Sequence, residues 1–310
     1  MYYTLSVILG LLGTVMVTMN GKLGSHYGTY SAAAIIHILG MLTISAIVLF
    51  KRERFTKKQP FWLYLGGAVG FFTVIFNNMA FGQISVSAIL ALGLLGQSLA
   101  SLVFDQFGLL HMPKHPFNFK KLFGIALVML GIVPMILVSR INSAIYIIFP
   151  LFSGIIFVLA RTLNARLAQQ TNSMQSTFFN YFSGLILALI ALFFAGGNEP
   201  MLKSFSLSPQ VWIYLGGILG VGYVFVLNVA VNKVSSFYLT LLMFIGQVFS
   251  GIGVDMLLTG AFSVLNLIGG VLVSAGLIQN LMIEKRRQTA RSSELPVVSD
   301  ELTPLQADDR

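Results

Sequence analysis

The chain alternates apolar runs of about 20 residues with short polar or basic segments such as 51–60 and 196–209. Ten apolar runs lie near residues 4–21, 30–50, 61–81, 84–104, 119–139, 145–163, 174–195, 210–230, 236–259 and 263–283. A helix rises about 1.5 Å per residue, so each run is long enough to cross roughly 30 Å of hydrocarbon. Lipid offers the backbone no hydrogen bonds, which restricts spanning segments to helices and closed barrels. The runs are continuously apolar and do not alternate, which selects helices. The pattern predicts an all-α polytopic membrane protein with ten transmembrane helices.

The runs also repeat. "WLYLGGAVG" at 62–70 is matched by "WIYLGGILG" at 212–220, and nine positions are identical between 61–84 and 211–234. "NGKL" at 20–23 is matched by "NARL" at 164–167, an offset of 144. "GQSLASLVFD" at 96–105 is matched by "GQVFSGIGVD" at 246–255, an offset of 150. The changes in offset fall in loops, where length differences are tolerated. Residues 1–143 and 144–284 therefore read as two five-helix repeats, with 285–310 as a polar, disordered cytoplasmic tail. Five is odd, so the second repeat enters the membrane from the opposite side. Inverted repeats of this kind are the usual basis of alternating access.

Composition agrees with a membrane class: 56% of residues are hydrophobic and 9% charged, against about 25% charged in soluble domains. The net charge of +9 does not form a nucleic-acid-binding stripe. With the N-terminus inside, 16 of the 19 Lys and Arg fall in cytoplasmic segments, Arg161 and Arg166 among them. Lys22, Arg140 and Lys203 are left outside. The positive-inside rule then places both termini in the cytoplasm. The basic clusters at 51–58 and 285–291 suit anionic lipid headgroups as partner. The first run lacks a basic leader and a cleavage site, and reads as mature structure.

Polar residues inside the runs are the candidate chemistry, because intramembrane polar groups are costly and face a neighbouring helix or a cavity. Gln97, Ser101 and Asp105 form one helical stripe, with Gln247, Gly251 and Asp255 as its counterpart. Gln97, Gln247 and Ser101 are substrate-binding candidates; the alternative is that the glutamines tie helices together, at about 0.6 kcal/mol per bond. Asp105 and Asp255 are proton-coupling candidates, with capping of a neighbouring helix as the alternative. Gate candidates cluster at the two mouths: Asn20, Lys22 and Asn78 at one, Asn164, Arg166 and Asn228 at the other. Capping and snorkelling are the alternatives there. His37 is matched by Tyr181 and reads as a packing residue; Gly66, Gly67, Gly70 and Gly216, Gly217, Gly220 read as close-contact surfaces.

The N-x-x-L at the end of the first run, "AFGQISVSAI" at 80–89, the Gln-x7-Asp spacing and the five-helix duplication resemble the drug/metabolite transporter superfamily. The nearest branch is the YdcZ-type inner-membrane exporters, here in a fused two-repeat form. The resemblance implies a ten-helix basket with a central cavity, in a bacterial cytoplasmic membrane, exporting a small organic compound. It also implies that the first, third, fourth, sixth, eighth and ninth runs line the cavity, with the fifth and tenth peripheral. Asn180 before Gly184 fits the branch, whereas Ile36 stands in the equivalent place before Gly40.

The expected function is transport of a small-molecule metabolite or drug-like compound, with no cofactor and no metal. A membrane sensor or scaffold is the alternative. An intramembrane enzyme is a weaker one, since no zinc spacing, Ser-His-Asp arrangement or phosphate loop occurs. There is no cysteine and hence no thiolate site.

Overall fold

In the computed structural model, residues 2–55, 58–107, 119–138, 145–204, 206–231, 236–260 and 262–294 are described. Among them the structure is helical, with one isolated bridge between Phe81 and Ile84. The long helices are α1 (Tyr2–Tyr27), α2 (Thr29–Phe50), α3 (Gly66–Ala80), α4 (Val86–Phe107), α5 (Lys121–Val138), α6 (Ile145–Gln170) and α7 (Ser173–Ala195). A four-residue turn, α8 (Pro200–Lys203), precedes α9 (Leu215–Val231), α10 (Ser236–Thr259) and α11 (Val264–Glu294). Eight segments are long and apolar enough to cross a membrane, and two apolar stretches, Leu122–Leu137 and Val264–Asn280, are shorter.

Three boundaries differ from the sequence expectation. α1 extends to Tyr27 and α6 to Gln170, six and seven residues past the apolar runs. Helical hydrogen bonding continues after hydropathy ends, wherever polar side chains find partners inside the bundle. α11 continues to Glu294 through residues expected in a disordered tail. Its Lys, Arg, Gln and Ala residues are good helix formers, so leaving the apolar run does not end it.

Large apolar side chains remain on the outside: Phe50 is 90% exposed, Leu257 85%, and Phe193 and Phe194 80% each. A water-facing surface seldom carries so much apolar area, whereas lipid tails accept it. The interior is assembled by close helix contact. A Cβ on Gly10 would fall 2.1 Å from the Met243 carbonyl oxygen, and one on Gly246 2.3 Å from that of Val7. Backbones approach this closely only where the side chain is hydrogen, as in small-residue membrane interfaces.

Exchanging the halves converts each of these contacts into another. Gly66 packs on the Asn164 amide and Gly216 on the Asn20 amide. Gly67 packs on the backbone of Asn180 and Gly217 on that of Ile36. Gly40 meets Tyr181 as Gly184 meets His37, and Gly96 meets Leu151 as Gly246 meets Val7. α3 packs mainly on α6 and α7, α9 on α1 and α2, α4 on α6, and α10 on α1. Each half thus buries its helices chiefly against the other. α5 and α11 pack on each other through Gly124, Gly131, Gly269 and Gly276, at the flank of α4 and α10.

Two acidic side chains pin opposite faces. The Glu199 carboxylate, 7% exposed, accepts the backbone N–H of Ser31 at 2.9 Å, in the first turn of α2. At the other face Asn172 caps α7 by accepting the Gln175 N–H at 2.8 Å, and donates to Glu53 at 2.8 Å. Both carboxylates sit where helix N-terminal dipoles favour negative charge. The two sides of the bundle are called below the Glu199 face and the Glu53 face.

Candidate polar site inside the helix bundle

Gly13, midway along α1, is the point where polar groups from two other helices meet. A Cβ there would lie 3.2 Å from Gln247 Nε2 on α10 and 3.7 Å from the Tyr223 hydroxyl on α9. The missing side chain leaves the room these two groups occupy. The guanidinium of Arg161 on α6 stands 5.8 Å from the centroid of Phe157, which packs against the same apolar cluster as Tyr223. Arg161 is 5% exposed, Tyr223 4% and Gln247 7%. Thr14, one residue along α1, donates to the Gln247 carbonyl oxygen at 3.1 Å, and Ser250 donates to the Thr14 hydroxyl at 2.7 Å. These bonds fix the rotation of α10 against α1, and with it the Gln247 side chain. Leu9, Leu12, Met16, Leu227 and Met243 complete an apolar wall.

Other predicted residues fall elsewhere. Gln97 is buried at 9% exposure, with its backbone N–H against Gly154 of α6. Ser101 is partly buried on α4. The side chain of Asp105 lies outside the described residues. Asp255 accepts the backbone N–H groups of Val86 at 2.6 Å and Ser87 at 3.0 Å, the Ser87 hydroxyl, and the Asn266 amide at 3.4 Å. It caps α4 from a neighbouring helix and ties α10, α4 and α11 together, the alternative set beside proton coupling from the sequence. Gly251 packs against Ser87 and Leu90, so this end of the second stripe faces α4.

The gate candidates form two unequal clusters. Toward the Glu53 face, Asn164 donates to the Asn180 side-chain oxygen at 2.8 Å and accepts the Ser176 hydroxyl on its backbone carbonyl at 2.7 Å. Asn228, 1% exposed, donates to that same hydroxyl at 3.3 Å. At the Glu199 face, Ile36 and Ala32 replace Asn180 and Ser176. The Asn20 oxygen and the Asn78 amide nitrogen are there buried without a hydrogen-bond partner. Asn78 borders a cavity of about 510 Å³ lined also by Gly24, Ser25, Gln83, Tyr146 and Phe149. Lys22 and Arg166, two residues after their asparagines, are half-buried. His37 packs as expected, its Nδ1 2.7 Å from the Ala33 carbonyl and its ring 6.0 Å from that of Tyr181.

One correction concerns Arg161. It was expected in a cytoplasmic segment, yet it is enclosed nine residues before the end of α6. Its removal leaves 15 rather than 16 basic residues in the cytoplasmic tally, against 3 outside. A signal existed: at the offset of 144 its counterpart is Val17, so a charge replaces an apolar residue within the repeat. Tyr223 carried no comparable mark among ten tyrosines.

A protein-family profile described as "Putative inner membrane exporter, YdcZ" matches the chain twice, over residues 1–134 and 145–279. No curated protein sequence matches. A solved structure titled "Crystal structure of protein" superimposes with a TM-score of 0.64 at 14% identity, covering 91% of this chain and 98% of that one. At that identity the likeness speaks for the fold.

Proposed function

The chain belongs to the YdcZ family of inner-membrane exporters, and we propose that it carries a small organic compound out across the bacterial cytoplasmic membrane by alternating access. The family supports a membrane transporter, and export as its direction. The observation that carries the mechanism is the inequality of the two mouths. Contacts exchange between halves, which supports inverted repeats, while the asparagine clusters differ. Asn78 borders a cavity with its amide nitrogen unbonded, and its counterpart Asn228 is bonded to Ser176. A cavity at one mouth and a hydrogen-bonded cluster at the other is an asymmetry that exchanging repeats would produce, and it supports this reading.

The Glu53 face carries Lys51, Arg52, Arg54 and Lys58, and α11 brings Lys285, Arg286 and Arg287 to it. By the positive-inside rule this face, with both termini, is cytoplasmic and the cavity opens outward. Substrate meets Gln247 and Tyr223 over Gly13, with Gln97, Ser101 and the mouth residues on the path. Reporter fusions at residue 54 and after residue 294 are expected to read cytoplasmic, and one at residue 203 external. In proteoliposomes, a compound that raises the thermal midpoint of the purified protein is expected to cross unaltered. Chemical conversion, or binding without flux, would refute transport.

A further inference from the structure

The cavity beside Asn78 lies between the end of α1, the end of α3 and the start of α6. At about 510 Å³ it has the size of a small-molecule site, roughly 300–1,000 Å³. Rings make its wall. Phe149 stacks on Phe76 with centroids 5.6 Å apart, Tyr146 meets Phe149 edge-on at 6.4 Å, and Phe81 lines the same space. The other repeat is an internal control on what the fold itself requires. At offsets of 150 and 144, Phe76 is matched by Val226, Phe81 by Val231 and Phe149 by Leu5. An aliphatic side chain therefore serves at each place, and the three rings are peculiar to this mouth.

The polar groups here are uncharged. Ser25, Thr29, Asn78 and Gln83 border the cavity with hydroxyls and amides, and no charged side chain lines it among the described residues. Asn78 is 8% exposed, and its amide nitrogen has no hydrogen-bond partner in the protein. The amide sits in the room left by Gly24, where a Cβ would lie 3.3 Å from its carbon and 3.4 Å from its nitrogen. Gly24 is matched by Ala168, and the counterpart amide of Asn228 donates to Ser176. The unbonded donor is thus peculiar to this mouth as well.

We propose that the cavity holds an uncharged, planar aromatic compound with a hydrogen-bond acceptor, its ring against Phe149 and Phe81 and its acceptor toward Asn78. The assignment rests on the transport reading and names its substrate class. Ring pairs add stabilisation beyond the apolar area they bury. A buried donor without a partner carries its full desolvation cost, which an acceptor on the compound relieves. A carboxylate or an amidinium would leave water with no opposite charge to meet it, a far larger cost.

The test uses three compounds of one shape and different charge: nicotinamide, nicotinate and pyridine-3-carboxamidine. Thermal midpoints of the purified protein are titrated against each, and flux into proteoliposomes is measured over protein-free vesicles. Nicotinamide is expected to raise the midpoint at concentrations where the anion and the cation do not, and cyclohexanecarboxamide to act more weakly. Phe149→Leu and Phe81→Val install the residues of the opposite mouth, so both are expected to fold. Each is expected to weaken nicotinamide about twofold to tenfold, and Asn78→Leu to do the same. A charged member that binds as well as nicotinamide, no response to any of the three, or an amide effect unchanged in every variant would overturn the proposal. If the variants lower only the unliganded midpoint, the rings are packing and the assignment fails. Flux of a charged member, untouched by all three substitutions, would sink this site and leave transport standing. Nicotinamide binding that depends on Phe149 and Asn78 but brings no flux would do the reverse.

Discussion

Gln247→Leu is expected to cut transport several-fold to a hundredfold while the protein remains folded and inserted. The amide points over Gly13, beside the Tyr223 hydroxyl, in a setting from which water is largely excluded. A substrate polar group that loses its partner there costs about 1–3 kcal/mol, which sets the range. The bonds that hold α10 to α1, from Thr14 to the Gln247 carbonyl and from Ser250 to the Thr14 hydroxyl, do not use the Gln247 side chain, so leucine leaves the seam intact. Flux and thermal midpoint measured on the same preparation check this. A lower midpoint with unchanged substrate affinity would make Gln247 an interhelical tie. Gly13→Ala supplies a milder companion: its Cβ, 3.2 Å from Nε2, displaces the amide by a few tenths of an ångström.

Asp255→Ala is expected to destabilise the folded protein by about 3 kcal/mol, since losing an N-cap costs up to about 2 kcal/mol and each stranded buried donor about 1–3. Val86 N–H, Ser87 N–H, the Ser87 hydroxyl and the Asn266 amide all lose their acceptor together. Asp255→Asn keeps one acceptor oxygen in place and is expected to cost about 1 kcal/mol. The same pair of variants separates capping from proton coupling. If Asp255 is a cap, the Asn variant keeps the wild-type response of transport to a pH gradient. Loss of that response in a stably folded Asn variant would make the carboxylate the titrating group.

The helices were legible because lipid imposes one rule along the whole chain: a spanning segment must be apolar and helical. Duplication was legible because the glycines and asparagines that bring helices together recur at fixed offsets. Gly66 against Asn164 and Gly216 against Asn20 are the physical reason those letters repeat. Gln247 was legible as a candidate for the same reason, since it recurs with Gln97 at a fixed offset. Arg161 was not, because a charge near the end of an apolar run marks a loop by hydropathy. Only the continuation of α6 to Gln170 encloses it. The partner of Asp255 was likewise hidden, since Val86 and Ser87 lie on another helix and a backbone N–H leaves no mark in sequence. The inequality of the mouths was half visible. Ile36 in place of an asparagine was apparent, but its consequence depended on Ser176 joining Asn164 to Asn228.

The central claim, that the two repeats exchange open and closed states, is tested most directly at Asn78 and Asn228. The chain has no cysteine, so a single cysteine at either position reports alone. Each variant is reacted with a membrane-impermeant thiol reagent, from the side its mouth faces, with and without a transported compound. The account predicts that modification at 78 and at 228 changes in opposite directions when the compound is added. Changes in the same direction at both positions would contradict it.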